Sequence, residues 1–332
     1  MHEISRCFAA RLRRRHALAA AAAVALSLAG PAAAQQSAGP IRIVVGFAAG
    51  NAADSLARTL AERLAAELST PVIVENKPGA GSRIAIQSVK HAAPDGRTML
   101  IATSSAMFLN PLVFKNLPYD SEKDFAPVAN IGNNQIAMTV AANAPYRTLK
   151  EFAAWLKANP AKAEFGNEGV GSPGHLLGLH LGVVAGVPMT FVPYRATSQL
   201  ITDQIGNQIT AATWALPSVY EAHKSGQLRI IGIAAPKRST VAPDLPTFKE
   251  QGFDIEIISS YGVYFPAGTP GPVVDQMSSA LVKIIREPAV QARLRQLGVD
   301  PTGLSATEFQ QAIVDDRRRR ARMVRDTDFK VD

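Results

Sequence analysis

From Ile41 onward the chain alternates short apolar runs with stretches in which apolar residues recur every three or four positions. IRIVVGF (41–47) reads as a strand, and Leu56, Leu60, Leu64 and Leu68 share one face at four-residue spacing, which predicts an amphipathic helix from Asp54 to Leu68. VIVEN (72–76), TMLIATS (98–104) and PVANIG (127–132) follow as strands, with a helix around Ile84 to His91 between the first two. A second series opens with QIAMTVA (135–141). Thr148 and Glu151 stand at capping-box spacing ahead of a helix that ends near Asn159-Pro160. AEFGN (163–167), MTFVPY (189–194), ITAATWA (209–215) and LRIIGIAA (228–235) then repeat the strand–turn–helix rhythm. After Pro243-Asp244-Leu245-Pro246, a strand at 257–265 leads through Ala267-Gly268-Thr269-Pro270 into a helix carrying Val274, Leu281 and Ile285. A last helix runs from Thr307 or Glu308 to about Arg325, and its four consecutive arginines, Arg317 to Arg320, predict a solvated helix end. The whole is the rhythm of parallel βαβ units in two halves, the C-terminal portion returning to the first. Ligands of open α/β sheets bind beyond the carboxyl ends of strands, so the residues just after each strand are the informative ones.

The first 34 residues change how the charge is read. Arg11, Arg13, Arg14 and Arg15 precede an Ala/Leu/Val run from Ala17 to Ala29 and then Ala32-Ala33-Ala34, the layout of a cleaved secretory signal peptide, residues 1–34. The run is too short to span a bilayer. Its removal takes the formal charge from +8 on 332 residues to +4 on 298, so no nucleic acid or other strong polyanion is implied. Cys7 is the single cysteine and precedes the apolar run, leaving none to carry a lipid at the new N-terminus. The mature chain is expected to be soluble, cysteine-free and exported, by the general or the twin-arginine route.

Candidate chemistry clusters at strand ends. Phe47-Ala48-Ala49-Gly50-Asn51 follows the first strand, where small residues let N–H groups approach a ligand and a helix start favours an anion; Asp54 as a plain helix cap is the equal alternative. The third strand ends in Thr103-Ser104-Ser105, three neutral donors. Asn167-Glu168-Gly169-Val170-Gly171-Ser172-Pro173-Gly174-His175 contains a literal G-x-G-x-x-G between a strand and a helix, and Arg195 follows the next strand, as in an NADP-binding protein. The same loop suits a carboxylate, with Ser172 capping and Pro173 in the first turn. His175 is either a ligand donor or a structural histidine. Tyr194-Arg195-Ala196 offers a bidentate guanidinium, and Trp214, near the end of its strand, predicts an indole facing the cleft. No HExxH, no G-x-S-x-G and no metal-ligand spacing among His91, His175, His180 and His223 supports a catalytic or metal site.

In order and spacing, IRIVVGFAAG (41–50), PVIVENKPGAGS (71–82), APDGRTML (93–100), NPLVFKNLPYD (110–120), DFAPVA (124–129), FGNEGVGSPGH (165–175), VPYR (192–195), LPSVYEAHKSGQLR (216–229), PDLPTFKEQGF (243–253) and FPAGTP (265–270) resemble the Bug-type periplasmic substrate-binding proteins of tripartite tricarboxylate transporters, across about residues 41–330. The resemblance implies a two-lobed α/β fold of the type II periplasmic-binding-protein kind, with 41–133 and 256–332 as one domain and 134–255 as the other, joined by hinge strands around a central cleft. It implies no enzyme activity, no cofactor and no metal, a periplasmic monomer, and capture of a small organic carboxylate for a membrane transporter. By position, the ligand loops are Phe47 to Asn51, Thr103 to Ser105, Asn167 to His175 and Tyr194 to Ala196, with Trp214 where relatives vary with ligand. Two departures stand out. Ala48-Ala49-Gly50-Asn51 replaces the paired prolines and glycines of many relatives, and Arg83 follows Ser82 where a small or amide residue is common. The ligand is left open between a dicarboxylate and a monocarboxylate such as an aromatic acid, and the alternatives in function are a sensory partner of a membrane receptor and an NADP-dependent enzyme.

Overall fold

The computed structural model describes residues 39–331, so the leader reading of residues 1–34 lies outside the described residues. One strand organises the rest. β4 (Phe125–Ala141) is 17 residues long, about 55 Å at the usual rise per residue. Its first part pairs antiparallel with β9 (Ile258–Pro266) and β10 (Asp300–Leu304), and its last part with β7 (Ala211–Ala215) and β8 (Leu228–Ile233). The sequence pattern splits this strand in two at Gly132-Asn133-Asn134, a turn-like trio. The structure corrects that: the trio stays extended because Gly132 must admit β10, whose Asp300 carbonyl oxygen lies 2.6 Å from where a Cβ would stand, while Asn133 and Asn134 pair with Ser260 and Ser259 of β9.

Each end of β4 belongs to its own mixed sheet. On one side β2 (Val72–Asn76), β1 (Ile41–Val45) and β3 (Thr98–Thr103) run parallel and join β4 through antiparallel β9; on the other, β6 (Thr190–Pro193) and β5 (Glu164–Asn167) run parallel to β7, which meets β4 antiparallel. The βαβ rhythm therefore holds for three strands of each sheet, and antiparallel pairing enters wherever β4 serves as neighbour. Helices cover both faces of each sheet. α1 (Ala52–Leu68), α8 (Gly271–Ile285) and α9 (Pro288–Gln296) cover one face of the first sheet, while α2 (Arg83–Lys90), the helical stretch 105–113 that ends in α3 (Asn110–Val113), and α10 (Ala306–Thr327) cover the other. The leucine stripe of α1 is the reason it docks: Leu56, Leu60 and Leu64 are fully buried against β1, whose Ile43, Val44 and Val45 are buried on both faces. In the second sheet α4 (Leu149–Ala158), with both halves of its capping box formed, and α5 (Pro173–Ala185) pack one side; α6 (Thr197–Ile205) and α7 (Leu216–Lys224) pack the other. Two α/β lobes result.

The chain passes between the lobes again at 234–257, where Ala234 N–H bonds to Ile136 C=O and Ile257 N–H to Ala234 C=O. A buried polar knot sits at this crossing. The Asp300 carboxylate accepts from Gln135 Nε2 (2.9 Å), Ser239 Oγ (2.7 Å), Thr240 N–H (2.9 Å) and the Thr240 hydroxyl. Burial alone would push its pKa up; the bonds from Thr240, Gln135 and Ser239 outweigh it and hold the carboxyl below the usual range.

α10 ties the lobes together at their backs. Phe309 and Ile313 pack with the first sheet, whereas Met323 and Phe329 enter the core of the second. The arginine quartet is a correction to the solvated-end reading. Arg318 is exposed, but Arg317 pairs with Glu122, Arg319 with Glu256 at 2.9 Å, and Arg320 is fully buried. Four consecutive residues cover all faces of a helix, so a packed helix must turn at least one of them inward. Arg320 Nε donates to Asp316 Oδ2 (2.6 Å), and Nη2 to the Ile258 carbonyl (2.5 Å) and Ser104 Oγ (3.4 Å). Removing one partner of a buried ion pair leaves an uncompensated charge. Arg320→Met is expected to cost about 3–5 kcal/mol in urea denaturation, and the double substitution Asp316→Leu/Arg320→Met less than that; a double variant as unstable as the single one would place the cost elsewhere.

Candidate functional site

The loop after β1 is closed by its own side chains. Asn51 caps α1, accepting the Asp54 N–H (2.9 Å), and the nearly buried Asp54 carboxylate accepts from Gly50 N–H, Arg58 Nε and Asn76 Nδ2, each at 2.9 Å. The bond from Arg58, helped by Gly50 and Asn76 against the cost of burial, pulls the Asp54 pKa down to about 2. The cap reading is corrected in its residue: Asn51 and not Asp54 caps α1, and Asp54, in the first turn, accepts the Gly50 N–H, so that the positive helix end faces a resident carboxylate. Ala48, Gly50 and Asn51 are not on the cleft wall; Phe47 is.

Beside Phe47 lies a segment the strand-end argument passes over. Gly79, Ala80, Gly81 and Ser82 all have positive φ (125°, 47°, 63° and 72°), a left-handed turn that two non-glycine residues adopt against their preference. Packing holds it: Ser82 Oγ donates to the Gly46 carbonyl, and a Cβ on Gly46 would come within 2.4 Å of Ser82 Cβ. The turn delivers Ala80, Gly81, Ser82 and the first residue of α2, Arg83, to the cleft. Paired glycines in PGAGS are the signal that could have marked it.

At the end of β3, Thr103 and Ser105 face the cleft with Ala106, and Ser259 of β9 joins them. Ser104 faces the other way. It is buried, its Oγ accepting the Ser260 N–H (3.0 Å) and meeting Arg320, so its role is to anchor the floor beneath the cleft. The 167–175 loop forms the opposite wall through Val170, Gly171 and Ser172, with Asn110 and Phe114 bridging the two. Here Asn167 Oδ1 accepts from Gly169 N–H (2.7 Å) and Ser172 Oγ (2.8 Å), while its Nδ2 donates to Thr213 C=O; Ser172 caps α5 by accepting the His175 N–H. Asn167 and Gly169 thus shape the loop from behind.

His175 is the structural histidine of the two alternatives. Its ring stacks on Phe191 at 3.6 Å between centroids and meets Phe329 edge-on at 4.5 Å, and burial pushes its pKa down to about 4, so the imidazole is neutral. Tyr194 Oη donates to Asp203 Oδ2 (3.0 Å), and Arg195 and Ala196 are exposed; none of the three is on the cleft wall. With Arg195 off the cleft and Gly169 N–H and Ser172 Oγ bonded to Asn167, the loop does not assemble a dinucleotide cradle. Trp214 is a further correction. Its indole is buried in a cluster with Leu200, Leu216 and Val219, and Nε1 donates to Thr139 Oγ1 at 2.6 Å. A place near a strand end does not decide which face a side chain takes; alternation along β7 turns this one into the helix-covered side.

The resulting cleft has a volume of about 550 Å³ and takes its walls from both lobes. Five sequence candidates lie on it: Phe47, Thr103, Ser105, Gly171 and Ser172. Its polar groups are hydroxyls, one amide and backbone, set among the apolar Phe47, Ala80, Ala106, Phe114 and Val170, and Arg83 is the one ionisable side chain on the wall. Among the described residues no group of histidine, cysteine or carboxylate side chains could hold a metal ion, and no helix is long and apolar enough to cross a membrane.

Two α/β lobes strung on a shared strand around such a cleft define the class of the periplasmic binding proteins, and solved members superpose on the chain. The periplasmic binding protein BugD is 29% identical with a TM-score of 0.69, covering 88% of this chain and 99% of its own. Rpa4515 of R. palustris, solved with adipate, is 25% identical (TM-score 0.73; 88% and 98% covered), and MatC from Rhodopseudomonas palustris, with bound malate, is 27% identical (TM-score 0.68; 86% and 99%). Residues 56–329 match the tripartite tricarboxylate transporter family receptor, and the chain belongs to that family.

Two titrations test these environments. Between about pH 6.5 and 4 the unfolded chain binds a proton at His175 that the folded protein refuses, so stability falls as pH falls through this window. His175→Leu is expected to flatten that part of the curve in urea denaturation; an unchanged slope would mean the imidazole takes up its proton in the fold. Below pH 4 the depressed Asp54 carboxyl takes over: its contribution is present above 3.8 and lost as pH drops towards 2, so Asp54→Asn, destabilised at neutral pH, converges on the native protein in acid.

Proposed function

We propose that this protein is an extracytoplasmic solute-binding protein that captures a small organic carboxylate in the cleft and delivers it to the membrane subunits of a tripartite tricarboxylate-type transporter. It works as a monomer in the periplasm, without cofactor or metal, and releases its ligand unchanged. The observation that carries this reading is the cleft wall: residues drawn from both lobes, hydroxyls of Thr103, Ser105 and Ser259, no acidic side chain, and a single cation. Such a surface favours an anion and has no paired acid and base to transform it. The adipate and malate seen in Rpa4515 and MatC support the chemical class.

In this reading one lobe comprises 41–133 and 256–332 and the other 134–255, and they close about β4 and the 234–257 crossing. A neutral wall of hydroxyls and backbone N–H groups holds one carboxylate, and closure removes it from water, which strengthens every bond to it. Micromolar affinity, roughly −8 kcal/mol, suffices for such a carrier.

A thermal-shift screen of organic acids, amino acids and nicotinamide-type compounds tests the assignment. A ligand at about 100 times its Kd adds roughly 2.7 kcal/mol of stability, and the hit is expected to be a carboxylate recovered intact after incubation. Solution scattering at saturation should then give a smaller radius of gyration. Turnover of the hit would overturn the carrier reading, and an unchanged radius would remove closure from it.

A further inference from the structure

Arg83 occupies an unusual position in this cleft. Its guanidinium carbon lies 4.7 Å from the centre of the Phe114 ring, which holds the cation at the junction of the two walls. Nε is buried and has no hydrogen-bond partner among the described residues, and no carboxylate forms an ion pair with the side chain there. The nearby phenol of Tyr119 cannot neutralise it, because burial raises that pKa to about 12 and its hydroxyl donates to the Ala106 carbonyl. Arg317 Nη1, Arg319 Nε and Arg320 Nη1 are also buried without a hydrogen-bond partner, but those side chains pair with Glu122, Glu256 and Asp316, whereas Arg83 pairs with no carboxylate among the described residues. A desolvated guanidinium donor left without an acceptor is costly, and a cation over an aromatic face keeps its planar fork of N–H groups for a carboxylate.

We infer that Arg83 is the specificity-determining residue of the cleft and reads a second acidic group on the ligand, so that the protein selects dianionic over monoanionic acids. This rests on the carboxylate-capture reading above. The first carboxylate needs no ionised partner, since Thr103, Ser105 and Ser259 supply hydroxyls on the same wall. A second one would meet the two terminal nitrogens of Arg83, Nε being buried behind them, in a bidentate pair, the arrangement in which arginine discriminates best against a ligand lacking the group. The substrate class is therefore a small diacid, aliphatic or aromatic, whose second acid group reaches Arg83 and Phe114.

Isothermal titration calorimetry with matched pairs tests this: malate against 3-hydroxybutyrate, adipate against hexanoate, and phthalate against benzoate. The native protein is expected to favour the diacid of the pair that fits by about 10- to 100-fold. Arg83→Gln should lose that preference, its affinity for the diacid falling by far more than its affinity for the monoacid, and Arg83→Lys, which keeps the charge without the fork, should recover part of it. Thermal melting of the ligand-free variants should match the native protein. Equal affinity of the native protein for both members of a pair, or an Arg83→Gln protein that weakens both equally, would overturn the role of Arg83 and leave carboxylate capture standing. Absence of binding to all six acids would overturn carboxylate capture and this inference with it.

Discussion

The hydrogen bonding of one 17-residue strand into two sheets is the constraint on which the architecture depends. Because both ends of β4 are fixed by antiparallel neighbours, the lobes cannot separate without breaking ladder bonds, and any change of angle between them must be absorbed in the few residues around Asn134 and Gln135. Those residues are braced from two sides. Asp300 holds Gln135 to the Ser239-Thr240 turn, and Arg320 holds α10 to the start of β9 and the floor of the cleft. The cleft inherits its walls from this frame: loops after β1 and β3 on one side, the loop after β5 on the other.

Electrostatics divides along the same lines. Interior charges are matched within the fold, so the first helix start, which in isolation would attract an anion, already faces the Asp54 carboxylate. The cleft keeps neutral donors and one arginine. Charge that maintains the fold and charge that faces the ligand are thus carried by different residues, and the cleft can vary without disturbing what holds the lobes together.

Much of the fold was legible because apolar periodicity reports directly on burial. The leucine stripe of α1, the capping box of α4 and the Ser172-Pro173 start of α5 stand as their patterns predict. What stayed hidden depends on partners distant in sequence. Gly132-Asn133-Asn134 imitates a turn and is held extended by β9 and β10; Arg320 resembles its exposed neighbour Arg318 until α10 is laid across Ser104. In the site, reading Thr103-Ser104-Ser105 as one group overlooked the end of the strand at Thr103 and the helical backbone at Ser104, which sends the middle residue inward. The left-handed turn at 79–82 was hidden because backbone conformation, and no chemically distinctive side chain, makes it part of the cleft.

The route of the chain through the first lobe also bears on when that lobe can form. β1, β2 and β3 come early, but the sheet joining them to β4 requires β9, and its floor requires an arginine at position 320. Contacts of such long sequence separation close late and slowly, since loop entropy must be met before they form. During synthesis β1, β2 and β3 therefore lack the strand that joins their sheet to β4 until β9, near the end of the chain, has been made.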